Sequence, residues 1–124
     1  MLNEETNKKK KKMEKQPQRM KRIAGVSGTY YVTSDGRVLK RDKFLNKTIE
    51  VEQQVRTNYV DVILLSEDGG SSTHKSVANL VARAFLPAED VKKYIVHKDG
   101  DFTNNRVDNL EWSWVASSYR KEHE

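Results

Sequence analysis

The clearest element in the chain is a helix over residues 76–87. In SVANLVARAFLP, apolar side chains recur every three or four positions, at Val77, Leu80, Val81, Ala84 and Phe85. This spacing places them on one face of an α-helix, which is buried when the helix packs against a core. Ser76 is suited to cap the first turn, and Pro87 to end the helix. We expect this helix to supply the main apolar face of the protein.

Short runs of β-forming residues precede and follow the helix. TYYVTSDGRVLK contains two such runs around Ser34-Asp35-Gly36, which indicates a hairpin with Gly36 at positive φ. NYVDVILL (58–65) predicts a strand, followed by a turn at 67–70 and a short edge strand over SSTHKS. KYIV (93–96) predicts a further strand. Residues 41–58 are too polar to assign to an element.

The order of these elements indicates the fold class. A last short helix is expected over residues 114–122, and no internal repeat is visible. Hairpin, strands, helix, strand, loop and helix together predict a small α+β fold. With 124 residues and 14.4 kDa, one domain with a small core is expected.

Composition narrows the classes of protein to consider. The chain has no cysteine, which excludes a disulfide framework and a cysteine-ligated zinc site. No apolar run approaches the roughly 18 residues needed to span a membrane. The first residues, MLNEETNKKKKK, lack the apolar segment of a signal peptide. We expect an intracellular protein, either cytoplasmic or associated with the nucleoid.

Charge is concentrated at the start of the chain. Residues 1–22 hold nine Lys or Arg and three Glu, a net of +6, whereas residues 23–124 hold 14 basic and 15 acidic residues, a net of −1. We expect 1–22 to be a disordered tail and 23–124 to be the domain. The tail would bind nucleic-acid phosphates, or else serve solubility or localisation. The expected phosphate-binding residues are Lys8, Lys9, Lys10, Lys11, Lys12, Arg19, Lys21 and Arg22.

The most informative stretch is YIVHKDGDFTNNRVDNLEWSW, residues 94–114. His97 follows three apolar residues, so it lies where a buried strand emerges. Asp99-Gly100 favours a turn, and Asn104-Asn105 can stabilise a loop through side-chain to backbone hydrogen bonds. The chain returns at Asn109. We expect a closed, internally hydrogen-bonded loop in which His97 can take a proton from water.

Part of this stretch, VHKDGDFTNNRVDNLEW, resembles the central motif of the HNH homing endonucleases. GTYYVTSDGRV is similar to the module that often precedes that nuclease domain, and LVARAFLP to the helix between the two. The resemblance covers about residues 23–118. It implies an N-terminal β module over 23–75 and an HNH-like motif over 76–124.

The resemblance implies a ββα-metal motif, in which a hairpin and a helix surround one divalent cation, Mg²⁺ or Mn²⁺. It implies hydrolysis of DNA phosphodiester bonds, with His97 as the general base. Asn109 would brace the loop and help to orient the histidine. Asp99, Gly100, Asn104 and Asn105 would stabilise the loop.

The chain departs from the family pattern at both expected metal ligands. The position before the histidine is often Asp or Asn, and here it is Val96. The second ligand, on the final helix, is usually His or Asn, and here it is Ser118. A valine cannot bind a cation, and a serine hydroxyl is a weak ligand for Mg²⁺. Asp99 and Asp101 are the nearest candidates to supply a replacement carboxylate.

Three functions stay open at this point. The first is a metal-dependent endonuclease acting on duplex DNA, of the kind found in mobile introns and phage genomes. The second is a degenerate relative that binds DNA or structured RNA without cutting it, within a larger nucleoprotein complex. The third is a protein-interaction module in which the basic tail binds an acidic partner.

Overall fold

The computed structural model of the protein describes residues 18–87 and 94–115, which form three antiparallel sheets around one helix. The first sheet contains, in order, Met20–Arg22 (β1), Tyr30–Thr33 (β2), Val38–Asp42 (β3) and Lys47–Glu50 (β4). The second sheet contains Gln53–Val55 (β5), Val60–Leu65 (β6) and Ser72–Ser76 (β7). The third sheet pairs Tyr94–His97 (β8) with Leu110–Ser113 (β9). The helix is Val77–Phe85 (α1), and a 3-10 turn spans Val107–Asn109. This is a small α+β fold, as expected.

The predicted turns connect the strands as expected. β2 and β3 form a hairpin in which Val32 pairs with Val38, and Gly36 lies at φ +90°. The second predicted turn joins β6 to β7 and contains Gly69 at φ +73°. β7 pairs with β6 alone, which makes it the predicted edge strand.

Helix α1 joins the three sheets, because it contacts β2, β6, β7, β8 and β9. Its first turn is capped by Ser76, whose Oγ accepts a hydrogen bond from the backbone N–H of Asn79 at 3.3 Å. Val77 and Val81 are fully buried, and the rest of the predicted apolar face packs against the core. No helix in the described part of the chain is long and apolar enough to cross a membrane.

The expectation of a disordered tail over residues 1–22 is wrong for Met20–Arg22, which form β1. These residues pair with β2 in the first sheet, and the next residue, Ile23, is buried and donates its N–H to Tyr30 O at 2.8 Å. Burial of Ile23 and the hydrogen bonds to β2 therefore hold this charged segment in place. Residues 1–17 lie outside the described residues, as does the expected last helix from residue 116 onward.

Candidate functional site

The third sheet brings His97 to the mouth of a loop. His97 is the last residue of β8 and pairs with Leu110, the first residue of β9, so the loop between them closes at this pair. Val96, one residue earlier, is only 3% exposed and belongs to the core. Because side chains alternate along a strand, burial of Val96 turns His97 toward the loop, where it is half-buried.

Asn105 is the hydrogen-bond partner of His97. The Nε2 atom of His97 lies 2.6 Å from Oδ1 of Asn105, a residue that is 5% exposed. An amide oxygen can only accept, so Nε2 carries the proton that it donates. In the neutral imidazole this leaves the lone pair on Nδ1. The contact therefore selects the tautomer in which Nδ1 can accept a proton.

Asn109 braces the loop through three hydrogen bonds of its side chain and does not bond to His97. Its Oδ1 accepts from the Asp99 N–H at 3.1 Å, and its Nδ2 donates to Asp99 Oδ1 at 2.9 Å and to Asn104 O at 2.8 Å. Asn109 is 8% exposed, so water cannot easily replace its side chain as the hydrogen-bond partner of these groups. The resemblance gave the orienting role to Asn109, but it is Asn105 that contacts the histidine.

The carboxylate of Asp99 is the centre of the loop. Besides the bond from Asn109, it accepts from the Asp101 N–H at 2.8 Å and from Asn104 Nδ2 at 2.9 Å. These bonds, that from Asn104 foremost, hold the pKa of Asp99 below its ordinary value. The chain turns at Gly100, which lies at φ +78° and donates its N–H to His97 O at 3.0 Å. Asp99 is thus a structural anion here.

Asp101 has a similar but more local role. Its Oδ1 accepts from the Thr103 N–H at 2.9 Å and from the Thr103 hydroxyl at 2.6 Å. The hydrogen bonds from Thr103 hold the pKa of Asp101 below its ordinary value. The side chain is exposed and caps its own turn.

The donor groups of the described residues do not fit a divalent cation. Across residues 18–87 and 94–115, no three His, Cys, Asp or Glu side chains are grouped as metal ligands. Asp99 already accepts three hydrogen bonds, and Val96 places an apolar side chain in the core where the family pattern has a ligand. Mg²⁺ needs several oxygen ligands in near-octahedral order. The other expected ligand position, Ser118, lies outside the described residues.

The turn between β2 and β3 supports the loop from the other side, which the sequence did not predict. The Val107 N–H donates to Ser34 O at 2.9 Å, and a Cβ at Gly36 would lie 3.0 Å from Asn105 O. Gln53 Nε2 donates to Gly36 O at 2.8 Å and links the turn to the second sheet. The contacts of Ser34 with Val107 and of Gly36 with Asn105 join segments some 70 residues apart, so no local pattern in the sequence predicts them.

A basic cleft of about 730 Å³ lies between β1, β7 and α1. Its permanent cations are Arg22, Lys75 and Arg83, and none of the described residues that line it is acidic. His74 also lines the cleft, and its Nδ1 lies 3.4 Å from Asp61 Oδ2. The cleft therefore attracts anions.

The remaining predicted phosphate-binding residues fall into two groups. Arg19 and Lys21 lie over the ring of Phe85, at 4.9 and 5.6 Å from its centre, and so extend the basic surface along α1. Lys8, Lys9, Lys10, Lys11 and Lys12 lie outside the described residues.

Comparison with solved structures shows a similarity to the HNH homing endonuclease I-HmuI, for which DNA binding and cleavage are described. The two chains are 30% identical with a TM-score of 0.63, over 85% of this chain and 56% of I-HmuI. This chain thus spans little more than half the length of that enzyme. No protein-family model and no curated protein matches the sequence. The similarity supports an HNH-like fold for this chain.

Proposed function

We propose that this protein binds duplex DNA through its HNH-like domain and the basic segment that precedes it. The observation that carries the proposal is the structural similarity to I-HmuI, a DNA-binding enzyme, over 85% of this chain. The basic cleft adds a physical reason, because Arg22 lines it together with Lys75 and Arg83, which belong to residues 23–124, a stretch whose net charge is −1. The positive charge at the cleft therefore comes from the local grouping of these side chains and not from an overall excess of basic residues in that stretch.

Binding at the cleft would be driven by the phosphates. Each phosphate neutralised by Lys or Arg releases condensed counterions, so the affinity falls as salt rises. A plot of the logarithm of the binding constant against the logarithm of the salt concentration falls with a slope of about 0.9 per contact. Such contacts fix the position of the protein on DNA but carry no sequence information. Specific recognition would have to come from groups that reach the bases.

Cleavage is a second candidate function, and the contact between His97 and Asn105 favours it. That contact leaves Nδ1 of His97 able to take a proton from an attacking water. The described residues do not fit the cation that the HNH family uses, so no hydrolytic step is assigned to the site. The best-supported function is DNA binding by a domain that retains the histidine, with no fitting metal site among residues 18–87 and 94–115.

Fluorescence anisotropy with a labelled DNA duplex, measured over a series of salt concentrations, tests the proposal. The double variant Arg22→Gln/Arg83→Gln should bind more weakly, with a slope lower by about 1.8, two contacts at about 0.9 each. Arg106→Gln is the matched control, because Arg106 is exposed, lies outside the cleft and is paired with Asp108 at 3.7 Å. Absence of wild-type binding to DNA, or preference for an RNA duplex of the same sequence, would contradict the proposal.

A further inference from the structure

The hairpin between β3 and β4 ends in two apolar side chains that face solvent. Phe44 is fully exposed and Leu45 is 58% exposed, and they are neighbours at the tip. A phenylalanine in this position adds nothing to the core, because folding does not remove its ring from water. This part of the sequence, within residues 41–58, carried no prediction.

The turn that presents Phe44 is built from specific hydrogen bonds. Asp42 Oδ1 accepts from the N–H groups of both Phe44 and Leu45, at 2.9 and 3.0 Å. Asn46 lies at φ +51° and its Oδ1 accepts from Arg41 Nη2 at 2.6 Å. The tip is therefore preorganised, which lowers the conformational entropy lost when it binds a partner.

A contact to the second sheet orients the hairpin further. Lys43 Nζ lies 3.4 Å from Glu67 Oε1, in the turn between β6 and β7. Both side chains are largely exposed, so the ion pair adds little stability. It places the tip of the hairpin next to the turn between β6 and β7.

The charge around the tip indicates the chemistry of the partner. Residues 40–47 hold four basic side chains and one acidic one, Asp42, which is engaged in the turn. The basic residues are Lys40, Arg41, Lys43 and Lys47. A fully exposed aromatic ring on a hairpin rich in basic residues is complementary to stacked bases between two rows of phosphates. A hydrophobic groove on a protein has no need of these cations.

We infer that this hairpin is a DNA wedge, in which Phe44 enters the duplex between two base pairs while the surrounding cations bind the phosphates. This inference rests on the proposed binding of duplex DNA and adds a second contact site, separate from the basic cleft. Apolar side chains inserted in this way unstack a base step and kink the duplex. Phe44 would then supply a contact to bases that the phosphate-binding cations cannot make.

The test uses the full chain and a DNA duplex with a fluorescent base analogue whose emission rises when it is unstacked. Wild type should raise the emission of the base analogue when it binds the duplex. Phe44→Ala should abolish that rise and weaken binding roughly 5- to 140-fold, the range for one lost base–aromatic stack. Phe44→Trp should restore both signals, because indole also stacks on bases. Neither variant removes a buried group, so the fold is kept.

Val55→Ala is the matched control, because Val55 is another exposed apolar residue, at 66%, on β5. It should leave the emission and the affinity unchanged. If wild type binds the duplex and Phe44→Ala binds and unstacks it equally well, the wedge is refuted while the proposed function stands. If wild type binds no duplex, both fail. Binding to phosphatidylserine-containing vesicles that depends on Phe44, without unstacking of DNA, would also overturn the wedge.

Discussion

Gly36 lies against the backbone of Asn105, so that a methyl group added to the glycine would lie 3.0 Å from the Asn105 carbonyl oxygen. The turn of the first hairpin thereby supports the residue that binds His97, whose Nε2 is 2.6 Å from Asn105 Oδ1. Gly36, in the N-terminal module, thus contacts the residue that binds His97, the candidate general base. The two halves of the chain meet at the candidate site.

Gly36→Ala should therefore destabilise the protein more than an equivalent change elsewhere. Alanine at φ +90° is strained by about 1–2 kcal/mol, and the contact with Asn105 adds about 1–3 kcal/mol of overpacking. Gly69→Ala is the control, since Gly69 lies at φ +73° but nothing is within 4 Å of its added methyl group. The free energy of unfolding in urea is the measurement. Equal losses for the two variants would show that the contact with Asn105 has no energetic weight.

Asn105 and Asn109 should differ in their effect on the tautomer of His97. Nitrogen NMR of the imidazole should show the proton on Nε2 in wild type, because Asn105 Oδ1 accepts it. Asn105→Ala should lose this preference. Asn109→Ala should keep it, although it removes three hydrogen bonds from the loop and about 1–3 kcal/mol of stability. A shift of tautomer in Asn109→Ala as large as in Asn105→Ala would contradict the assignment of roles.

The loop should lose stability in acid through Asp99. Its pKa is lower in the folded protein than the ordinary value of 3.8, chiefly because Asn104 donates to it. A lowered folded pKa stabilises the fold above the unfolded value, and this contribution disappears as the pH falls from about 3.8 through the folded pKa. Asp99→Asn should be less stable at neutral pH and less sensitive to acid in this window. An unfolding free energy with the same pH dependence in both proteins would refute the role of Asp99.

Much of this arrangement follows from local patterns in the sequence. The three- and four-residue spacing of Val77, Leu80 and Val81 predicted α1, because side chains at this spacing lie on the same face of a helix. The closed loop was predictable for a different reason, since Asp and Asn side chains bond readily to nearby backbone groups. Asp99 and Asn109 make such bonds.

Other features depend on contacts between distant residues. β1 was missed because Met20–Arg22 has the composition of a charged tail and becomes a strand only by pairing with β2. β4 and β5 were missed because both lie at sheet edges and show no clear apolar alternation. The choice of Asn105 over Asn109 as the partner of His97 is set by the path of the folded loop, which the spacing of the asparagines does not determine.

Val96 shows why a metal ligand cannot simply be restored at the position before His97. Its side chain is 3% exposed, so Val96→Asp would place a carboxylate in the core. We expect a loss of about 3–5 kcal/mol, because a buried charge without a partner is strongly destabilising. Adding Mg²⁺ should not recover the melting temperature, since the described residues supply no grouped ligands around this position. A substantial rise in melting temperature with Mg²⁺, absent in Val96→Ala, would show that a cation site can form here.

Incubation of the full chain with supercoiled plasmid and Mg²⁺ or Mn²⁺ tests binding without cleavage most directly, because one gel reports both. Samples run with the protein bound show whether plasmid migration is retarded, and samples stripped of protein show whether open circles have formed. We expect retarded plasmid that stays supercoiled after the protein is removed. Metal-dependent open circles made by wild type and lost in His97→Ala would contradict this, as would plasmid that migrates unretarded at every protein concentration.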